Sequence, residues 1–171
     1  MYINFTHRFS YRADIYELQG RSQDALKWFN VLAARVNDPV VLTRLGELYN
    51  ETNDETRALN YQLESFRHYP IDLDVISSIG TFFVKQEMYE RSLYFFQQAS
   101  LIQPKEIKWG MILASNHKRC GNYDKAFQEY QHLHEKFPGN EECKSMSKIS
   151  YFELQIETLL LTLCTNISSL I

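Results

Sequence analysis

Apolar residues recur at steps of three and four along most of the chain, and short polar turns interrupt them at even intervals. Leu42, Leu45 and Tyr49 make one such stripe, Ile76, Ile79 and Phe83 a second, and Ala126, Tyr130 and Leu133 a third. That spacing keeps one face of an α-helix apolar. It predicts paired helices near 6–19 and 22–36, 40–51 and 55–68, 73–86 and 89–102, and 107–119 and 123–136. Three prolines, Pro70, Pro104 and Pro138, stand 34 residues apart, as do Gly46 and Gly80. Two independent markers share one period, which is the mark of a repeat architecture.

With Gly46 as the eighth position, the 34-residue units start at Pro39, Leu73 and Ile107. The first carries Leu42, Leu45, Gly46, Tyr49, Ala58 and Pro70 at positions 4, 7, 8, 11, 20 and 32. The second carries Ile76, Ile79, Gly80, Phe83, Phe96, Ala99 and Pro104, and the third Leu113, Ala114, Gly121, Tyr123, Ala126, Tyr130 and Pro138. A unit from Thr6 supplies Phe9, Ala13, Tyr16, Ala25 and Phe29; it is one residue short and has Arg12 where an apolar residue is expected. Small residues at 8 and 20 let two antiparallel helices approach, aromatics at 11 and 24 fill the wider gap to the next unit, and proline at 32 ends the second helix. Three positions depart: Gln62 at 24, Ser92 at 20 and Leu133 at 27. One helix pair cannot bury its apolar face alone, so units must stack.

This pattern resembles the tetratricopeptide repeat (TPR). The resemblance implies an all-α helical solenoid of about four antiparallel helix pairs, with a TPR array over 6–138 in repeats near 6–38, 39–72, 73–106 and 107–140. A C-terminal amphipathic helix over 141–171 would be capping or divergent. There, a fifth unit would put Lys148 at position 8, and the apolar stripe runs instead through Phe152, Ile156, Leu159, Leu160, Leu163, Ile167 and Leu170. The expectation is that Phe152, Ile156, Leu160 and Leu163 pack on the helix near 123–136. A detachable partner-binding helix and an alternative C-terminus are the other readings.

Some stretches carry a narrower resemblance. LGELYNETNDETRALNYQLESFRHYP (Leu45–Pro70), QQASLIQPKEIKW (Gln97–Trp109) and GNYDKAFQEYQHLHEKFPGNEEC (Gly121–Cys143) are similar to the C-terminal repeats of the Polaris-type subunit of intraflagellar transport complex B, and ADIYELQGRSQDALKWF (Ala13–Phe29) fits the preceding repeat. The similarity ends after Cys143. It implies a fragment of a structural subunit of the trains that move cargo along ciliary axonemes, needed for cilium assembly, with further repeats upstream. The implied partners are other intraflagellar transport-B subunits, and the implied locations are the cilium and basal body. A TPR scaffold of another assembly, such as a cell-cycle ubiquitin ligase, is the alternative.

Composition narrows the functional classes. The net charge of −3 and the lack of a Lys/Arg run point away from nucleic acid. Cys120, Cys143 and Cys164 are odd in number and have no CxxC spacing, as expected of reduced thiols in a cytoplasmic compartment. The uncharged stretch 158–171 is too short to span a bilayer, the first twenty residues hold no apolar signal segment, and no membrane insertion is expected. N-x-S/T triplets at Asn4, Asn50 and Asn166 mean little without such a signal. His132 and His134 stand two apart and do not share a helix face; His117 and Cys120 do, but zinc needs a third ligand. No Walker loop, GxGxxG or GxSxG occurs. The expectation is a binding protein with no enzymatic activity, no cofactor and no metal.

The partner-binding residues are then expected on the concave face, at first-helix positions 2, 5, 9, 12 and 13. They are Asp14, Glu17, Glu47, Asn50 and Glu51 in the first two units, Asp74, Ser77, Thr81, Val84 and Lys85 in the third, and Lys108, Met111, Ser115, Lys118 and Arg119 in the last. Such a face runs from acidic to basic and would orient an extended partner. A chaperone-type carboxylate clamp does not fit, because Ser10, Asp14 and Arg44 stand where that pattern needs Lys and Asn.

Overall fold

The computed structural model describes the backbone of residues 2–168 and, within them, the side chains of 9–146, 148–156 and 158–160. Among these residues there are nine helices and no strand: α1 (Tyr2–Leu18), α2 (Ser22–Ala33), α3 (Pro39–Glu51), α4 (Glu55–His68), α5 (Leu73–Lys85), α6 (Tyr89–Ile102), α7 (Ile107–Arg119), α8 (Tyr123–Lys136) and α9 (Glu141–Ser168). From α3 to α8 every boundary lies within a residue of the periodicity's expectation. α1 begins at Tyr2 rather than near residue 6, and α2 stops at Ala33 rather than near 36. Arg35 and Val36 both donate back to the Leu32 carbonyl, which tightens that end before Asp38 and Pro39 start α3. Contacts divide the chain into two compact units, residues 1–82 and 83–171.

The turn inside each helix pair is built the same way four times. Gly20, Asn53, Glu87 and Gly121, each at position 15 of its unit, have φ of 70, 61, 57 and 76°. The next amide donates to the carbonyl five residues back: Arg21 to Tyr16, Asp54 to Tyr49, Met88 to Phe83 and Asn122 to His117. These are Schellman caps, which satisfy the last carbonyls of each first helix. The starts of the first helices repeat as well. Asp38 accepts from the Val40 amide at 3.0 Å, Asp72 from Asp74 at 3.0 Å, and Asn140 from Cys143 at 3.0 Å.

In the first unit α1, α2, α3 and α4 pack in succession around Ala13, Ala25, Leu26, Phe29, Leu32, Leu45, Leu48, Tyr49 and Ala58. A Cβ on Gly46 would come within 2.7 Å of Gln62 Cγ and 3.4 Å of the Ala58 carbonyl, so only hydrogen fits there. Gln62, polar where a large apolar residue was expected, is buried and donates to Ser78 Oγ at 2.7 Å. The aromatic work passes to its neighbour. Tyr61 stacks on Tyr49 at 5.5 Å and donates to Asn30 Oδ1, while Asn30 donates to the Tyr49 hydroxyl. Arg12 lies over the Trp28 ring at 5.1 Å, a cation–π contact that suits its apolar position.

The second unit explains two other departures. Ser92 is fully buried; it accepts from Asn116 Nδ2 at 2.9 Å and donates to the Tyr89 carbonyl. Leu133 stands at position 27, where a small residue is usual, and its partner across the pair is Gly110 at position 4, where a large one is usual. A Cβ on Gly110 would lie 2.6 Å from Leu133 Cδ2. Large and small have exchanged places, and the volume between the helices is conserved.

The tail differs from expectation. Phe152, Ile156 and Leu160 are 68, 52 and 57% exposed and do not pack on α8, while the side chain of Leu163 lies outside the described residues. α9 packs on α8 through another face. Cys143 and Ser150 are buried, Met146 joins the cluster of Ala114, Ala126, Tyr130 and Met111, and Tyr151 meets Phe127 at 5.6 Å. Cys143 and Ser150 stand at positions 3 and 10 of a fifth unit, matching the buried Trp109 and Asn116 of the fourth. α9 is thus a first helix in register that runs on through Gln155, the position of the turn in the four preceding repeats. Lys144 and Lys148, at the positions that face the second helix in those repeats, are exposed.

Substitutions at two places test this packing. Gly110→Leu should destabilise the protein by about 1–3 kcal/mol through overpacking, and Leu133→Ala added to it should recover much of that loss. Denaturant melts of the two singles and the double variant measure the coupling. Glu87→Gly should stabilise by up to about 1 kcal/mol, because the left-handed turn costs a side-chain-bearing residue more than glycine. A midpoint unchanged or lowered in Glu87→Gly would contradict the turn geometry.

Candidate functional site

In the first unit, α1 and α3 bring the acidic candidates together. Arg44 Nη1 lies 2.9 Å from Glu47 Oε2 and 3.6 Å from Glu17 Oε1. Asp14 accepts from Ser10 Oγ at 3.4 Å, and Glu51 from Ser22 Oγ at 3.1 Å. Burial pushes the Glu17 carboxyl above its ordinary value; Arg44 opposes this, and the carboxylates of Asp14, Glu47 and Glu51 add to it. The Arg44 guanidinium is raised by its hydrogen bond to Glu47 and by Glu17 and Asp14, with burial acting against them. Three carboxylates, Glu47, Glu17 and Asp14, therefore share one arginine, and Glu51 adds to the negative charge around Glu17. Arg44 was absent from the candidate set, although its place three residues before Glu47 on a helix is a readable ion-pair signal. Asn50 is exposed on α3; Asp74 and Thr81 are exposed on α5, apart from this cluster in the chain.

The basic candidates of the second unit are differently placed. Lys85 is exposed at the end of α5. Lys108 Nζ sits 4.2 Å from the Trp109 ring centroid, and the Arg119 guanidinium lies 5.3 Å from that of Tyr89. The other three candidates turn toward the C-terminal helices. Lys118 Nζ pairs with Glu153 Oε1 of α9 at 2.7 Å, the Cys143 thiol of α9 reaches Met111 Sδ at 3.3 Å, and Ser115 hydrogen-bonds Tyr130 of α8. α9 thus holds two residues of the expected basic end within the unit. Among the described residues the other Glu153 oxygen, Oε2, is buried without a hydrogen-bond partner, as are Ser150 Oγ and the Nδ1 atoms of His117 and His134.

Neither metal nor thiol chemistry finds support in these side chains. No group of three or more His, Cys, Asp and Glu is placed to hold a metal ion among the described residues. Burial lowers the His117 imidazole, with Glu129 opposing. A cavity of about 440 Å³ is lined by Glu87 to Arg91 and Cys120. Burial, then Glu90, pushes the Cys120 thiol up, away from the thiolate a nucleophile needs. Among the described residues no helix is long and apolar enough to cross a membrane.

No protein-family model matches the chain. A stretch of 48 residues is 52% identical to the human intraflagellar transport protein 88 homolog; it covers 28% of this chain and 6% of that protein, so the chain spans only a small part of the relative it matches. Among solved structures, a mutant of MamA is similar with a TM-score of 0.69 at 17% identity, over 88% of this chain and 83% of that one. YrrB, described as a TPR protein with an unusual peptide-binding site, gives 0.68 at 16% identity, over 86% and 76%. A tetratricopeptide repeat protein from Parabacteroides merdae gives 0.62 at 18% identity, over 92% and 62%. At such identities the likeness is one of fold, and with the 34-residue period and the repeated caps it gives this chain the all-α helical solenoid fold of the tetratricopeptide repeat.

Proposed function

We propose that the chain is a protein-binding scaffold, and that it acts as part of a structural subunit of the intraflagellar transport-B train, in cilium assembly and ciliary cargo transport. The observation that carries this reading is the 52% identity over 48 residues with the human intraflagellar transport protein 88 homolog. That level stands far above the 15–18% that separates this chain from the TPR structures of like fold. The fold supplies the means. Stacked helix pairs present their first helices as an extended surface on which another chain can lie.

The concave-face residues are the proposed contacts, with two ends of unlike character. Asp14, Glu17 and Glu47 gather around Arg44 with Glu51 beside Glu17, so a partner segment with Lys or Arg would find surplus negative charge there. Asn50, Asp74 and Thr81 extend the polar exposed set, and Lys85, Lys108 and Arg119 are exposed cations, the last two each lying over an aromatic ring that an acidic partner group would share them with. Met111, Ser115 and Lys118 contribute only where a partner competes with the contacts they already make. Within this cluster Glu17 works against stability at neutral pH. A carboxyl whose folded value is raised binds its proton more tightly in the folded state, so Glu17 weakens the fold as pH rises through that value.

Two measurements test this. Glu17→Gln should melt higher than the natural protein at neutral pH, and the gap should close as pH falls below the ordinary Glu value of 4.5. A gap of opposite sign would show that the pair with Arg44 outweighs the burial and the repulsion. For function, the tagged chain should co-purify intraflagellar transport-B subunits from ciliated cells, and Glu47→Lys with Glu51→Lys should reduce that recovery while helicity stays unchanged. Recovery of a different assembly in place of those subunits would overturn the ciliary assignment and leave the scaffold reading in place. Unchanged recovery by the charge-reversed chain across a salt series would remove the acidic cluster from the contact.

A further inference from the structure

The face of α9 that packs on the solenoid carries Cys143, Met146, Ser150 and Glu153, and it is mostly small or polar. A little over a quarter-turn round the same helix lies a second face, by the 100° step between residues. It carries Ile149, Phe152, Ile156 and Leu160, all exposed, together with Leu159. The spacing on this second face is that of a heptad. Ile149, Phe152, Ile156 and Leu159 alternate steps of three and four, and Leu163 continues the series in sequence. Over these two heptads the spacing suits pairing with another helix along the exposed stretch. α9 is also twice as long as α8, 28 residues against 14, and runs beyond the span α8 can cover.

We propose that this face of α9 is a self-association surface, on which α9 of a second copy of the chain docks as a two-stranded coiled coil. Charge decides the occupant. Partner choice in coiled coils is set by charged residues flanking the seam. Here the flanking positions after Phe152 are Glu153, Gln155, Leu160 and Thr162, and the one charge among them, Glu153, is engaged by Lys118. Nothing in that set repels an identical helix or selects a different one, and Leu160 widens the apolar strip. A lipid surface is disfavoured by the same residues. Interfacial helices carry Lys and Arg along their polar face, and between residues 149 and 168 this helix has none, while it has Glu153 and Glu157. By the repeat register Ile149 and Phe152 stand at positions 9 and 12 of a fifth unit, so the surface continues the concave face beyond the contacts proposed above, and it does not depend on the ciliary reading.

Sedimentation of the full chain over a concentration series tests the proposal. The natural chain should pass from monomer to dimer as concentration rises, and its melting temperature should rise with it. Phe152→Gln with Ile156→Gln should weaken the dimer by about a hundredfold or more, since four seam side chains are lost per pair. These side chains are exposed in the single copy, so helicity at low concentration should not change. Val40→Gln, an equally exposed apolar site on α3, should leave the dimer intact. If the double variant loses helicity, Leu160→Lys on the flank of the seam takes its place, with the same expectation of weaker pairing. A natural chain that stays monomeric at every concentration, including one that binds only a foreign helix, overturns the proposal. So does a dimer that the seam variants leave as tight as before.

Discussion

Close approach of two helices, repeated along the chain, is the constraint on which the other features depend. At Gly46 there is no room for a Cβ beside Gln62 and the Ala58 carbonyl, and at Gly110 there is none beside Leu133. A hairpin of two helices held this tightly leaves its other faces apolar, so each pair must be covered by the next. Tyr49–Tyr61 and Phe83–Phe95 stack across the two helices of one pair, and Phe96–Trp109 joins one pair to the next. The capped turns at Gly20, Asn53, Glu87 and Gly121 hold the two helices of each pair at that distance.

This constraint makes the fold legible in sequence. A position that tolerates only hydrogen or methyl recurs at a fixed interval, and the helix-ending prolines recur with it. What the residues did not reveal was compensation. Leu133 reads as an isolated exception until Gly110, 23 places earlier, is seen opposite it. Gln62 reads as a misplaced polar residue until Ser78 is found at the end of its side chain. Each is half of a pair whose other half is distant in sequence, and periodicity weighs positions one at a time.

The tail departs from its apolar pattern for a related reason. Phe152, Ile156 and Leu160 form an apolar stripe at helical spacing, and burial is the ordinary fate of such a stripe. The helix is seated instead by a small cysteine, a methionine and a serine, because register with the preceding repeats selects positions 3 and 10 whatever occupies them. The same register brings Glu153 to Lys118 and Cys143 to Met111, and so alters the basic end of the expected binding surface. The acidic end was more legible. Its members lie on α1 and α3 at the positions the repeat assigns, and only Arg44 among them was unforeseen.

The packing pairs within each unit have one more property: α1 with α2, α2 with α3 and α3 with α4, then α6 with α7, α7 with α8 and α8 with α9, all join helices consecutive along the chain. Sequence separation between touching residues is therefore small. Closing each contact costs little chain entropy, and a nucleus can form in any pair and spread to its neighbours. Run backwards, the same arrangement means that strain applied at the termini is not shared across the molecule. The outermost helix yields first and each loss exposes the next, so the protein comes apart as a series of small steps rather than in a single rupture.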